Sequence, residues 1–350
     1  MKKILLLFVA ALVSLSWGAP FKVVGYYPYW AQYSQFYPKD VRYNTVTHIH
    51  YTSLAPSDDG SIAYADENDA QNLETLAKTA KENNVSLVVS IGGYEAEGAL
   101  STIGGDKAVL SKFCDNAMEW VDKFGLAGLE LDWQNFESGN VDALKAIAKA
   151  LKSKLGGKTL SVMAYAASAD AYGDALNSSD VDYVTVSIGD QMDESTESVK
   201  PNMSKQDIEN AVKAFTDKSV PAEKLIPVVL LYGKTFAKAK GLGSTHQGIG
   251  SGNEGYIAYK ELMGKFDTPD YKVAFDEASG SEVAVSDAET IVFSGIPSMK
   301  AASNFVKDQG LAGIAVYDLS QDHHEPIVSL LVTIGQVLRP EVDYKPKKKK

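Results

Sequence analysis

The chain has 350 residues, 45% hydrophobic and 23% charged, and 34 basic against 45 acidic side chains leave it a formal charge of −11. That balance excludes a disordered or collagen-like chain and argues against a phosphate-backbone binder, so no nucleic-acid partner is expected. A single cysteine excludes an intrachain disulfide and argues against a cysteine-based zinc site.

Residues 1–18 place two lysines before an apolar run that ends in small and polar residues. This is the order of a secretory signal peptide, with Ser16 and Gly18 at −3 and −1 of a cut before Ala19. The expected address is therefore secreted or periplasmic, and no later apolar run is long enough to span a bilayer. The mature domain is expected over 19–338, followed by a lysine-rich tail at 339–350.

Eight apolar runs then recur: Val23–Tyr27, Val46–Tyr51, Ser86–Ile91, Gly128–Asp132, Leu160–Tyr165, Tyr183–Ile188, Leu225–Leu231 and Gly313–Tyr317. Several are nearly continuous in apolar residues, as buried parallel strands are. Amphipathic segments lie between them, including Ala70–Asn83, Ala108–Phe124, Val141–Leu155, Lys205–Lys218 and Ser298–Gln309. The alternation predicts an α/β fold, either a (β/α)₈ barrel or a doubly wound sheet. An aromatic Gly25–Trp30 in place of a glycine-rich fingerprint after the first strand disfavours the dinucleotide-binding option. The long gap before the last strand carries its own strand-like runs, Lys272–Phe275 and Glu289–Phe293. It reads as a small α+β subdomain inserted between strands seven and eight at about 241–294, with Gly241–Gly255 as a flexible loop.

In a barrel of this kind chemistry sits at the C-terminal strand ends. Strand one brings Tyr26 and Tyr27 there, strand six Asp190, strand seven Tyr232 and strand eight Tyr317. On strand four, alternation turns Glu130, Asp132 and Gln134 to one face and Leu129, Leu131 and Trp133 to the other. Inward acids and an amide on alternate positions are costly to bury without partners, which points to a site at the barrel mouth. His48 and His50 share a face of strand two and read as structural hydrogen-bonding groups. His323 and His324 read as a surface loop, Trp133 as packing against helices, and Cys114 as a small core residue.

These residues resemble glycoside hydrolase family 18, the chitinase family, from about Val23 to Asp322. The first-strand Gly-Tyr-Tyr-Pro-x-Trp stands at Gly25–Trp30, the third-strand Ser-x-Gly-Gly at Ser90–Gly93, and the Tyr-Gly pair at Tyr232-Gly233. The fourth-strand Asp-Gly-x-Asp-x-Asp-x-Glu is present in altered form, from Ala127 to Gln134. The resemblance implies the (β/α)₈ barrel with its insertion, a chitin-like or N-acetylglucosamine-containing glycan as partner, and neither cofactor nor metal. It also implies substrate-assisted hydrolysis, an exception to the two-carboxylate scheme. In that scheme a Glu at position 134 is the general acid, Asp132 orients the acetamido group, and a strand-six Tyr helps place it.

The sequence departs from this pattern. Ala127 replaces the first Asp, Glu130 the second and Gln134 the Glu; Gly189 stands where the strand-six Tyr is expected, and Tyr317 where a Trp is usual. A carboxamide has no proton to donate at neutral pH. The expectation is a non-hydrolysing glycan binder with a substrate site of Tyr26, Tyr27, Asp132, Gln134, Asp190, Tyr232 and Tyr317. Two alternatives stay open: a hydrolase using a displaced acid such as Glu137, or a protein-binding or inhibitor scaffold.

Overall fold

The computed structural model describes residues 20–94, 96–189 and 196–345. The signal-peptide reading at 1–18, Asp190 and the final lysines lie outside them.

Eight parallel strands close into a barrel in the order β1 (Lys22–Pro28), β2 (His48–Pro56), β4 (Ser86–Gly92), β5 (Gly128–Asp132), β6 (Thr159–Tyr165), β7 (Tyr183–Ser187), β8 (Leu225–Leu230) and β14 (Gly313–Tyr317), which pairs back to β1. A short β3 (Ile62–Ala63) adds antiparallel to β2. This is the (β/α)₈ barrel, and each expected apolar run supplies one of its strands. The doubly wound alternative fails because β1 pairs with both β2 and β14, which leaves no edge.

The helices are α1 (Asp69–Glu82), α2 (Glu97–Gly105), α3 (Lys107–Phe124), α4 (Val141–Leu155), α5 (Lys205–Thr216), α6 (Tyr259–Phe266), α7 (Ile296–Asp308) and α8 (Leu330–Leu338). α3 shows why these segments are helical. Phe113, Cys114, Ala117, Val121 and Phe124 recur at three- and four-residue spacing and are all buried. The Asp106 side chain accepts from the amides of Ala108 and Val109, and Gly125 ends the helix at φ 59°.

Strand alternation makes two cores. Val23, Leu129, Leu131, Val162, Val184, Val229 and Ile314 pack outward under the helices, while Val24, Tyr26, Met163, Tyr183, Ile226, Val228 and Ala315 fill the barrel itself.

A second, antiparallel sheet stands between β8 and α7. Its order is β10 (Tyr256–Ala258), β9 (Tyr232–Ala237), β13 (Glu289–Phe293), β12 (Ser281–Val285) and β11 (Lys272–Asp276). The expected boundary at 241 falls too late. Tyr232-Gly233 already belongs to β9, because the chain leaves the barrel after Leu231 and pairs with β10 and β13 instead. Two buried carboxylates tie the insertion together. Glu282 accepts from the amides of Gly295 and Ser298 at the start of α7. Glu289 accepts from the amide and hydroxyl of Ser251, both at 2.6 Å, and fixes the glycine-rich segment 241–255 to β13.

Gly92 allows β4 and β5 to meet at the mouth. Its φ is +137°, and a Cβ there would lie 1.9 Å from the Asp132 carbonyl oxygen. Gly92→Ala is expected to destabilise the protein by about 2–4 kcal/mol, read as a lower urea midpoint at unchanged slope.

Candidate functional site

Glu130 is fully buried in the barrel. Its Oε1 accepts from the hydroxyls of Tyr26 on β1, at 2.9 Å, and Thr185 on β7, at 2.8 Å. His50 Nδ1, on β2, stands 3.1 Å from the same oxygen, close enough for charge attraction though off the line of a directed hydrogen bond. The other ring nitrogen of His50 lies 2.9 Å from the Tyr183 hydroxyl. His50 is thus a structural hydrogen-bonding residue, as its place on strand two suggests. Burial alone would raise the Glu130 pKa, but the facing His50 and the hydroxyls of Thr185 and Tyr26 hold it below the ordinary carboxylate value.

Asp132 is the next inward position toward the mouth and is 4% exposed. The Tyr165 hydroxyl, on β6, donates to its Oδ1 at 2.6 Å. Burial raises the Asp132 pKa to about 6; Tyr165 and the Gln134 side chain pull it down, and the Glu130 charge adds to the rise. Gln134 follows in the half-exposed turn after β5. Two stacked inward acids are therefore driven apart: the deeper one is held ionised by its donors, and the outer one titrates near neutrality.

Of the other expected site residues, Tyr26 is buried under the mouth as a donor to Glu130, and Tyr317 lies 5.5 Å from it, ring to ring. Tyr232 opens β9 at the side of the mouth, its ring 5.1 Å from that of Tyr256. Lys234 Nζ stands 3.6 Å over the Tyr256 ring, a cation–π contact. Tyr27 is a correction. Alternation turns it away from Tyr26 into the helix layer, where it is fully buried, stacks on Tyr51 and donates to the Phe36 carbonyl. A ligand at the mouth does not reach it. Glu137 is exposed and precedes the turn at 138–140. His48 hydrogen-bonds Thr47, and burial pushes its pKa down to about 3. His323 and His324 stack on one another in the loop after β14, and Trp133 packs edge-to-face on Phe136.

Sequence reasoning missed Tyr165 and Thr185, which reach across from neighbouring strands. It also missed two exposed aromatics: Tyr94, 76% exposed just past β4, and Tyr256, 38% exposed on β10. Inward parity on the fifth and sixth strands is the available signal for Tyr165 and Thr185, since each stands two residues, one inward position, past the residue level with the acid it touches. With Trp30, 39% exposed after β1, the exposed rings offer flat apolar faces at the strand ends.

His50→Leu removes the ring that faces Glu130 and contacts the Tyr183 hydroxyl, leaving buried polar atoms without a partner, and is expected to cost about 1–3 kcal/mol in unfolding free energy. Tyr165→Phe removes a donor to the Asp132 carboxylate. Its titration midpoint, followed by carbon-13 NMR of the carboxyl, is expected to move up from about 6.

A family model described as glycosyl hydrolases family 18 matches residues 22–322. Among curated relatives, Chitotriosidase-1 of Mus musculus is 25% identical over 369 residues, covering 90% of this chain and 76% of its own. A chitinase-like effector of Moniliophthora perniciosa is 22% identical, covering 88% and 85%. Among solved structures, Group II chitinase catalytic domain 2 of Ostrinia furnacalis superposes with a TM-score of 0.83 at 20% identity, covering 93% of this chain and 98% of that one.

Proposed function

From the premise that this chain belongs to glycosyl hydrolases family 18, we propose that it binds N-acetylglucosamine-containing, chitin-like glycans at the barrel mouth and does not hydrolyse them. The observation that carries this reading is the amide of Gln134 where the family scheme needs an acid. Losing a general acid costs about 10²–10⁴-fold in rate. The absence of a Tyr at 189 removes a second contribution, to substrate orientation. Among the described residues, neither Glu130 nor Glu137 stands ready as a substitute. Glu130 is sealed beneath Asp132 by its own donors, and Glu137 points from an exposed turn.

Binding needs no proton transfer. Asp132 offers a carboxylate acceptor for an acetamido N–H, Gln134 offers both a donor and an acceptor, and Trp30, Tyr232, Tyr256 and Tyr317 offer ring faces for sugars. Asp190 belongs to the same proposal by its place in the motif. Two solved chitinases support the compatibility of an amide with ligand. The class V enzyme of Nicotiana tobaccum and the enzyme of Cycas revoluta each carry a Glu-to-Gln exchange and are in complex with NAG4 and (GlcNAc)4. Export is part of this reading and rests on the order of residues 1–18; among the described residues no helix is long and apolar enough to cross a membrane.

Calorimetry with chitotetraose at neutral pH is expected to show binding, with no shortened product after prolonged incubation. No heat at millimolar sugar overturns the binding claim. Turnover at a chitinase-like rate overturns the inactivity claim, and its loss in Glu137→Gln would assign the acid to that residue. Gln134→Glu is expected to gain hydrolysis if the groove is intact. Affinity is also expected to fall as pH drops below about 6. The raised Asp132 pKa means the acceptor carboxylate exists above that pH and is protonated below it.

A further inference from the structure

Strand β11, KVAFD at Lys272–Asp276, is the outer strand of the inserted sheet and pairs only with β12 among the described residues. Its first four residues are exposed. Val273 is 47% and Phe275 38% exposed, and both lie on the sheet face shared by buried Ala284 and Glu282 of β12. The strand therefore overhangs the insertion core with its apolar pair uncovered and one backbone edge open. Natural edge strands are commonly blunted by a central charge, a proline or a bulge. β11 has none of these: its only charges are at its ends, Lys272 and Asp276, and its register to β12 is unbroken.

That placement makes the strand complementary to itself. Laid antiparallel against a second copy about a two-fold axis through Ala274, Lys272 faces Asp276 of the other copy at both ends. Val273 faces Phe275 twice, and Ala274 meets Ala274. Directly opposed residues in an antiparallel pair share a face, so both apolar pairs fall on the inner side and both ion pairs on the outer. Among the described residues Lys272 and Asp276 enter no ion pair, and Asp276 accepts the Ser279 amide through Oδ2. We propose that β11 is a homodimerisation edge: two copies of this chain join β11 to β11 in this register and make one continuous sheet of their two insertions. The interface is isologous and closes at two copies, which distinguishes it from open edge aggregation. It involves no residue of the barrel mouth and holds whether or not the glycan reading does.

Sedimentation equilibrium of the full chain across a wide concentration range is expected to show a monomer–dimer equilibrium. Lys272→Asp and Asp276→Lys each place like charges opposite one another and are expected to weaken self-association about tenfold or more. Mixing the two variants restores opposite charges at both ends, so a heterodimer is expected to recover wild-type affinity. Because Asp276→Lys also loses the turn contact to Ser279, a second readout is used. Ala274→Cys puts two thiols on the axis at a Cα separation compatible with a disulfide, and oxidised glutathione is expected to convert it to a covalent dimer. The one native cysteine, Cys114, is buried and does not compete. A wild-type protein that stays monomeric at its highest soluble concentration overturns the proposal. So does a dimer indifferent to charge reversal, or one that mixing fails to restore.

Discussion

A single ionised carboxylate sealed inside a barrel governs the rest of this molecule. Glu130 has no access to water, and an isolated charge there would be prohibitive. It is tolerated because β1, β2 and β7 each deliver one group to the same oxygen: the Tyr26 hydroxyl, the His50 ring and the Thr185 hydroxyl. These groups lie far apart in sequence. Their convergence on one atom requires the barrel to be closed and in its observed register, since a one-residue slip of any contributing strand would turn its donor into the helix layer.

The same constraint propagates upward. Glu130 stays charged, so the next inward acid feels both burial and a negative neighbour, and Asp132 is left titrating near neutrality. Tyr165 then anchors Asp132 from the adjacent strand and fixes which oxygen remains for a ligand. Above it the chain places an amide. The mouth is thus built in layers: a fixed charge, a tunable acid, and a group that can hold but cannot transfer a proton. Aromatic residues follow the ends of β1 and β4 and stand on the inserted sheet, with Trp30, Tyr94 and Tyr256 exposed.

Much of this was legible beforehand. β5 and β14 coincide with the expected Gly128–Asp132 and Gly313–Tyr317, and the other six barrel strands differ at their ends. Buried parallel strands announce themselves through near-continuous apolar runs, while their ends depend on where pairing partners stop. The column of Glu130, Asp132 and Gln134 followed from period-two alternation. Tyr27 did not: motif position placed it in the groove, whereas the same alternation, applied to strand one, puts Tyr26 inside and Tyr27 outside. The start of the insertion was missed because Tyr232–Ala237, with Gly, Lys and Thr among its six residues, carries no apolar strand signal, and only its partners, β10 and β13, show that it is a strand of the second sheet.

The order of residues by itself determined that eight buried strands would alternate with helices, that acids on the fourth would share one face, and that no acid stands at position 134. Those facts reside in local periodicity and residue chemistry, which survive in an unfolded chain. Tertiary structure alone decided that Thr185 and Tyr26 share one oxygen of Glu130, that Tyr165 grips Asp132, and that β11 ends a sheet with its edge open. Each depends on which distant strand lies alongside, and a pKa or an exposed edge is a property of those neighbours and the water they exclude.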